Sequence, residues 1–132
     1  MDVPWQELFR AAERARARAY APYSGFKVGA AALFEDGSIY PGCNVENASY
    51  GLALCAERNA IGSAVIAGKK RLLAMAILAD APRPCPPCGM CRQVMAEFAE
   101  REAEVHCRNL AGAEARYTVG QLLPDAFGKE FL

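Results

Sequence analysis

Histidine is nearly absent: His106 is the only one in 132 residues. A metal site in this chain must therefore be built mainly from sulfur, and a Ser-His-Asp hydrolase would depend wholly on one residue. A basic excess is missing too, since 15 Lys and Arg balance 15 Asp and Glu for a formal net charge of 0. That balance argues against a nucleic-acid module held by phosphate neutralisation. No apolar run approaches the ~18–20 residues needed to span a bilayer. The stretch from Met1 to Arg18 mixes acids and bases and lacks the apolar segment of a secretory signal. These absences predict a cytoplasmic protein with no membrane and no nucleic-acid partner. In a reducing compartment thiols stay free or bind metal, so the six cysteines are read as candidate ligands rather than as disulfides.

Hydrophobic residues make up 53% of the chain and charged residues 23%, the balance of a compact fold. The length suits a single domain over residues 1–132. Trp5, Leu8, Phe9 and Ala12 form the stripe of an amphipathic helix over residues 5–19, with Pro4 at its start. Two apolar runs, Phe26 to Phe34 and Ile39 to Glu46, flank Asp36-Gly37 and predict a hairpin. A helix follows from Cys55, with Leu54, Arg58, Ile61 and Val65 sharing a face and Gly68 as its stop. Leu72 to Ala79 reads as a strand covered on both faces. After a proline-rich loop, a second helix runs from about Cys88 to Glu100, burying Val94, Met95 and Phe98. Val105 to Leu110 and Ala115 to Tyr117 are two further strands, and Thr118 to Gln121 matches a capping box. Helices alternating with apolar strands predict an α/β fold, with helices on a central sheet.

The sharpest local feature is Pro87-Cys88-Gly89-Met90-Cys91. Two thiols three residues apart at a helix start can face one ion, and the positive helix end favours thiolates. A CxxC pair by itself is shared by metal sites and redox centres. Cys55 opens the preceding helix and adds a third thiol, so two helix starts can offer three sulfurs to one Zn²⁺. Three protein ligands leave a position for water, the arrangement of a catalytic zinc. A closed structural site would need a fourth ligand, for which Cys43, Cys85, Cys107 and His106 are candidates at no recognisable spacing. Glu57 favours the catalytic reading. Two residues after a ligand, it can reach a metal-bound water and shuttle its proton.

The combination Cys55-Ala56-Glu57-Arg58 with Pro87-Cys88-Gly89-Met90-Cys91-Arg92-Gln93 resembles the zinc deaminases, with cysteine where H-x-E…P-C-x-x-C carries histidine. It is similar to the small, all-cysteine cytidine deaminases. The likeness continues through Ala21-Pro22-Tyr23-Ser24-Gly25-Phe26, Asn44-Val45-Glu46-Asn47-Ala48-Ser49-Tyr50 and Leu122-Leu123-Pro124-Asp125-Ala126-Phe127. Met90 stands where alanine is usual, Cys43 where a small or apolar residue is commoner, and Cys85 where the loop is often aliphatic.

The resemblance implies a three-layer α/β/α sandwich with a central mixed five-stranded sheet. It implies one Zn²⁺ per chain on Cys55, Cys88 and Cys91, and hydrolytic deamination of cytidine and deoxycytidine in pyrimidine salvage. Zinc-bound hydroxide would add to C4 while Glu57 carries protons to N3 and to the leaving amine. Arg58 would offset the charge of three thiolates by hydrogen-bonding a ligating sulfur. Asn44 and Glu46, alternate residues of one strand, would hold the ribose hydroxyls, with Phe26 and Ala56 walling the pyrimidine. The resemblance further implies a homotetramer in which Phe127, Ala48 and Tyr50 complete the sites of neighbouring chains. Two rivals stand beside this reading: a deaminase of the same fold acting on a nucleotide, a modified nucleoside or a nucleoside antibiotic, and a non-enzymatic zinc module that would have no use for Glu57. Asn44 and Glu46 argue against the antibiotic enzymes, and the lack of a phosphate-binding basic cluster argues against nucleotides.

Overall fold

The computed structural model describes residues 2–132. Five strands form one sheet in the order β2-β1-β3-β4-β5. Strands β1 (Val28–Phe34) and β2 (Ile39–Cys43) are the antiparallel hairpin expected around Asp36-Gly37. Gly37 takes φ +85°, which its turn requires. Strand β3 (Leu72–Ala79) lies antiparallel to β1 and parallel to β4 (Ala99–Asn109), and β5 (Glu114–Thr118) closes the sheet antiparallel to β4. The sheet is therefore mixed.

Strand period decides what covers each face. Ala31 and Leu33 of β1, with Ala74, Ala76 and Leu78 of β3, pack against Leu8, Phe9, Ala11 and Ala12 of α1 (Trp5–Arg16). Ala30, Ala32 and Phe34, with Met75 and Ile77, face the opposite side. There they meet α2 (Ala56–Ile66), α3 (Gly89–Phe98) and α4 (Val119–Leu122). One helix below the sheet and three above make the expected three-layer α/β/α sandwich.

Two glycines let the helices sit against the strands. A Cβ at Gly29 would run into the Ala12 carbonyl of α1, and one at Gly42 into the Ala56 carbonyl and the Ala60 nitrogen of α2. This contact explains one departure from the expected pattern. The buried face of α2 is Ala56, Glu57, Ala60, Ile61 and Ala64, whereas Leu54 and Val65 are exposed. Ala56 and Ala60 sit against the glycine, which leaves Val65 on the outer face of the helix. Helix α1 ends at Arg16, three residues earlier than the stripe suggests, and the next turns carry Arg18 and Ala19 out of it. In α3 the buried residues are Cys91 and Met95, with Val94 and Phe98 only partly covered. That helix passes directly into β4 at Ala99, so Glu100 belongs to the strand.

Asn44 and Glu46 lie just beyond β2 rather than within it. Val45 between them is bridged to both Tyr20 and Leu54, which keeps the segment extended. The Thr118 capping box forms as expected, its hydroxyl accepting from Gln121 N and the Gln121 side chain from Thr118 N. No helix among the described residues is long and apolar enough to cross a membrane.

Candidate metal centre and active site

Cys55 is the residue before α2 and Cys88 the residue before α3, with Cys91 in the first turn of α3. Their three sulfurs lie within 4.8 Å of one another, and Cys55 Sγ is 3.7 Å from Cys88 Sγ. Zn–S bonds of about 2.3 Å at tetrahedral angles separate two sulfurs by about 3.8 Å. Donor chemistry and spacing thus fit one zinc ion with three protein ligands. Among the described residues this is the only such cluster. Cys43, Cys85, Cys107 and His106, the candidate fourth ligands, stand outside it. His106 is a buried strand residue on the far side of the sheet, stacked on Trp5 at 3.5 Å.

The charge of this cluster is shaped by its neighbours. Hydrogen bonds from Cys91 and from Arg58 hold the Cys55 thiol at about 5, well below an ordinary thiol. Cys91 is shifted upward, because it donates to Cys55 and is buried. Arg58 Nη2 lies 3.6 Å from Cys55 Sγ and also donates to the Ala53 carbonyl at 3.4 Å, while its buried Nε has no partner. The positive ends of α2 and α3 act in the same direction. Glu57 retains only 4% exposure, and burial raises its carboxyl to about 7. Cys107, buried behind the site, is pushed up to about 12 by the same cause.

A cavity of about 270 Å³ opens onto this cluster. Cys55, Cys88 and Glu57 line it together with Phe26, Asn44, Glu46 and Ala56, all expected from the sequence. Val28, Leu54, Ile77, Pro86 and Cys85 line it too, and sequence reasoning missed them. Cys85, a candidate fourth ligand in the sequence, lines the cavity wall and stands outside the thiol cluster. It reaches the wall because its loop must lead Cys88 into α3, a proximity that was visible in the chain. Ile77 carries no such signal, being one apolar strand residue among several.

The sequence matches the family described as cytidine and deoxycytidylate deaminase zinc-binding region over residues 4–107. The chain belongs to this family. It is 51% identical over 125 residues to a cytidine deaminase of Halalkalibacterium halodurans, covering 95% of each chain. To a cytidine deaminase of Mycobacterium tuberculosis it is 46% identical over 135 residues, covering 99% of this chain and 95% of the other. The fold is similar to the crystal structure of cytidine deaminase from Burkholderia pseudomallei. The TM-score is 0.89 at 50% identity, covering 92% of this chain and 98% of that one.

Three residues expected at a deaminase site stand apart from the cavity in this single chain. Tyr50, 77% exposed, borders an adjoining cleft with Tyr23, Ser24 and Asn47 that shares Glu46 and Ala53 with the cavity. Ala48 is exposed in the preceding bend. Phe127 is 58% exposed and stacks on Phe131, with its carbonyl accepting from Gln93 Nε2 at 2.8 Å.

Proposed function

We propose that this chain is a zinc-dependent cytidine deaminase that hydrolyses cytidine and deoxycytidine to uridine and deoxyuridine, releasing ammonia. One observation carries the reading. A single cavity is lined by Cys55 and Cys88 of the three clustered thiols and by the buried Glu57 carboxyl, and also by the Asn44 amide and the Glu46 carboxylate, which suit sugar hydroxyls.

Cys55, Cys88 and Cys91 hold the ion. Zinc bound there would supply Lewis acidity, making a water easier to deprotonate near neutral pH. Glu57, poised near neutrality by burial, takes a proton from the attacking water and delivers it to N3 of the pyrimidine. As the water oxygen bonds to C4, Glu57 takes that oxygen's second proton and gives it to the amine; the C4–N bond breaks, and water and cytidine leave as uridine and ammonia. Arg58 offsets part of the thiolate charge through its bond to Cys55. Phe26 and Ala56 flank the base, and Asn44 and Glu46 bind the ribose.

The exposed positions of Phe127, Ala48 and Tyr50 suit a homotetramer in which each chain completes its neighbours' sites. A cytoplasmic place in pyrimidine salvage fits these features. Metal analysis with an ammonia-release assay on cytidine, deoxycytidine, cytosine and dCMP tests the function. One zinc per chain and turnover of both nucleosides, with cytosine and dCMP poor, is the expected result. Zinc without any ammonia release would overturn it.

A further inference from the structure

The carboxylate of Glu46 is already heavily engaged before any ligand arrives. Its Oε1 accepts from the backbone nitrogens of Tyr23 at 2.9 Å and Ser24 at 3.2 Å. Its Oε2 accepts from the Ser24 hydroxyl. The Ser24 oxygen in turn accepts from Phe26 N at 3.0 Å. That last bond occupies a lone pair of the hydroxyl and leaves its proton aimed at Glu46. On the other side Asn44 Nδ2 donates to the Phe26 carbonyl at 2.7 Å, and Asn44 Oδ1 accepts from Val28 N at 2.8 Å. Phe26 is therefore fixed through both its N–H and its C=O, and Ser24 is the side chain that links it to Glu46.

The local backbone makes this ring possible. Tyr20 pairs with the Asn44–Glu46 segment, Tyr20 N donating to Asn44 O at 3.0 Å and Glu46 N to Tyr20 O at 2.8 Å. The following turn closes with Gly25 N on the Ala21 carbonyl at 2.9 Å, and Gly25 takes φ +71°. This left-handed residue reverses the chain so that the Tyr23 and Ser24 amides point back at the carboxylate.

We infer that Ser24 is a positioning residue for the sugar-binding carboxylate, holding Glu46 in the orientation that accepts a ribose hydroxyl. The inference rests on the proposed nucleoside-binding role of Glu46. A carboxylate fixed by three donors keeps its remaining lone pairs in set directions and loses little freedom when a ligand binds. It also stays ionised, since hydrogen bonds led by Ser24 hold it below the ordinary carboxylate range. Ser24 is exposed, so its removal leaves the core untouched.

The test uses Ser24→Ala and Ser24→Thr in the zinc-loaded enzyme, with cytidine and free cytosine as substrates. Ser24→Ala is expected to lower the cytidine-to-cytosine ratio of kcat/KM roughly tenfold, the scale of one hydrogen bond to a charged group. The loss falls on KM, and Ser24→Thr restores most of it by returning the hydroxyl. A carboxyl NMR titration supplies the second readout: the Glu46 midpoint rises in Ser24→Ala and stays low in Ser24→Thr. A purely structural role would depress both substrates equally and would overturn the inference, as would an unmoved Glu46 midpoint. Failure of the wild type to deaminate cytidine would instead sink the proposed function, while the titration would still report on Ser24 and Glu46.

Discussion

At the scale of single residues, Glu57 joins stability to chemistry. Its carboxyl titrates at about 7 in the folded chain against an ordinary 4.5, because burial disfavours the charge. Between those values the unfolded chain releases a proton that the folded chain retains. Stability is therefore fully present below pH 4.5 and is lost as pH rises through 7. At about 1.4 kcal/mol per pKa unit the loss is on the order of 3 kcal/mol. Glu57→Gln lacks this titration. In zinc-stripped protein, thermal melts should show the variant gaining on the wild type between pH 4.5 and 7.5; a gap that stays flat would remove the burial argument. The same variant in the loaded enzyme should keep one zinc per chain and lose roughly 10²–10⁴-fold of turnover, the usual contribution of proton transfer. Loss of the metal would make Glu57 a ligand. Cys88 and Cys91 were legible as a pair from their spacing, and Cys55 from its place at a helix start together with the family resemblance. Ser24 was not: its contact with Glu46 depends on a left-handed Gly25 and on a pairing across 22 residues.

At the scale of elements, the clustering of the thiols depends on how closely α2 lies on β2. The Gly42 contact with Ala56 and Ala60 sets that distance, directly beside Cys55. Gly42→Ala should push α2 outward and weaken zinc binding roughly 10–100-fold, the scale of losing a metal site's supporting contacts. Gly62→Ala is the control, because it lies in the same helix with open space around it. It should leave zinc affinity unchanged and stabilise the fold by about 0.5–1 kcal/mol. Chelator titrations and melts of both variants check this, and equal zinc affinity in the two would refute the spacing argument. Strand β3, the hairpin and the Thr118 cap were readable because each carries a local signature. The buried face of α2 was not, since a glycine on another element selects it. Nor was the end of α3, where no glycine or proline separates Phe98 from Ala99.

At the scale of the whole molecule, the exposed aromatic residues are where the proposed assembly is tested. Phe127 stacks on Phe131 and is 58% exposed, and Tyr50 stands almost free against the edge of Tyr23. Light scattering should give four chains, and Phe127→Ala should raise KM several-fold with zinc content intact. A fully active monomer would contradict the shared site and leave the zinc chemistry standing. The three thiols have a consequence beyond catalysis. Cys55 precedes β3 and Cys88 and Cys91 follow it, so the ion ties together segments contributed from either side of the sheet's middle strand. An ion that binds the folded chain and not the unfolded one adds stability that grows with the logarithm of its free concentration. The margin of stability of the folded chain, and not only its activity, therefore rises with the zinc supply.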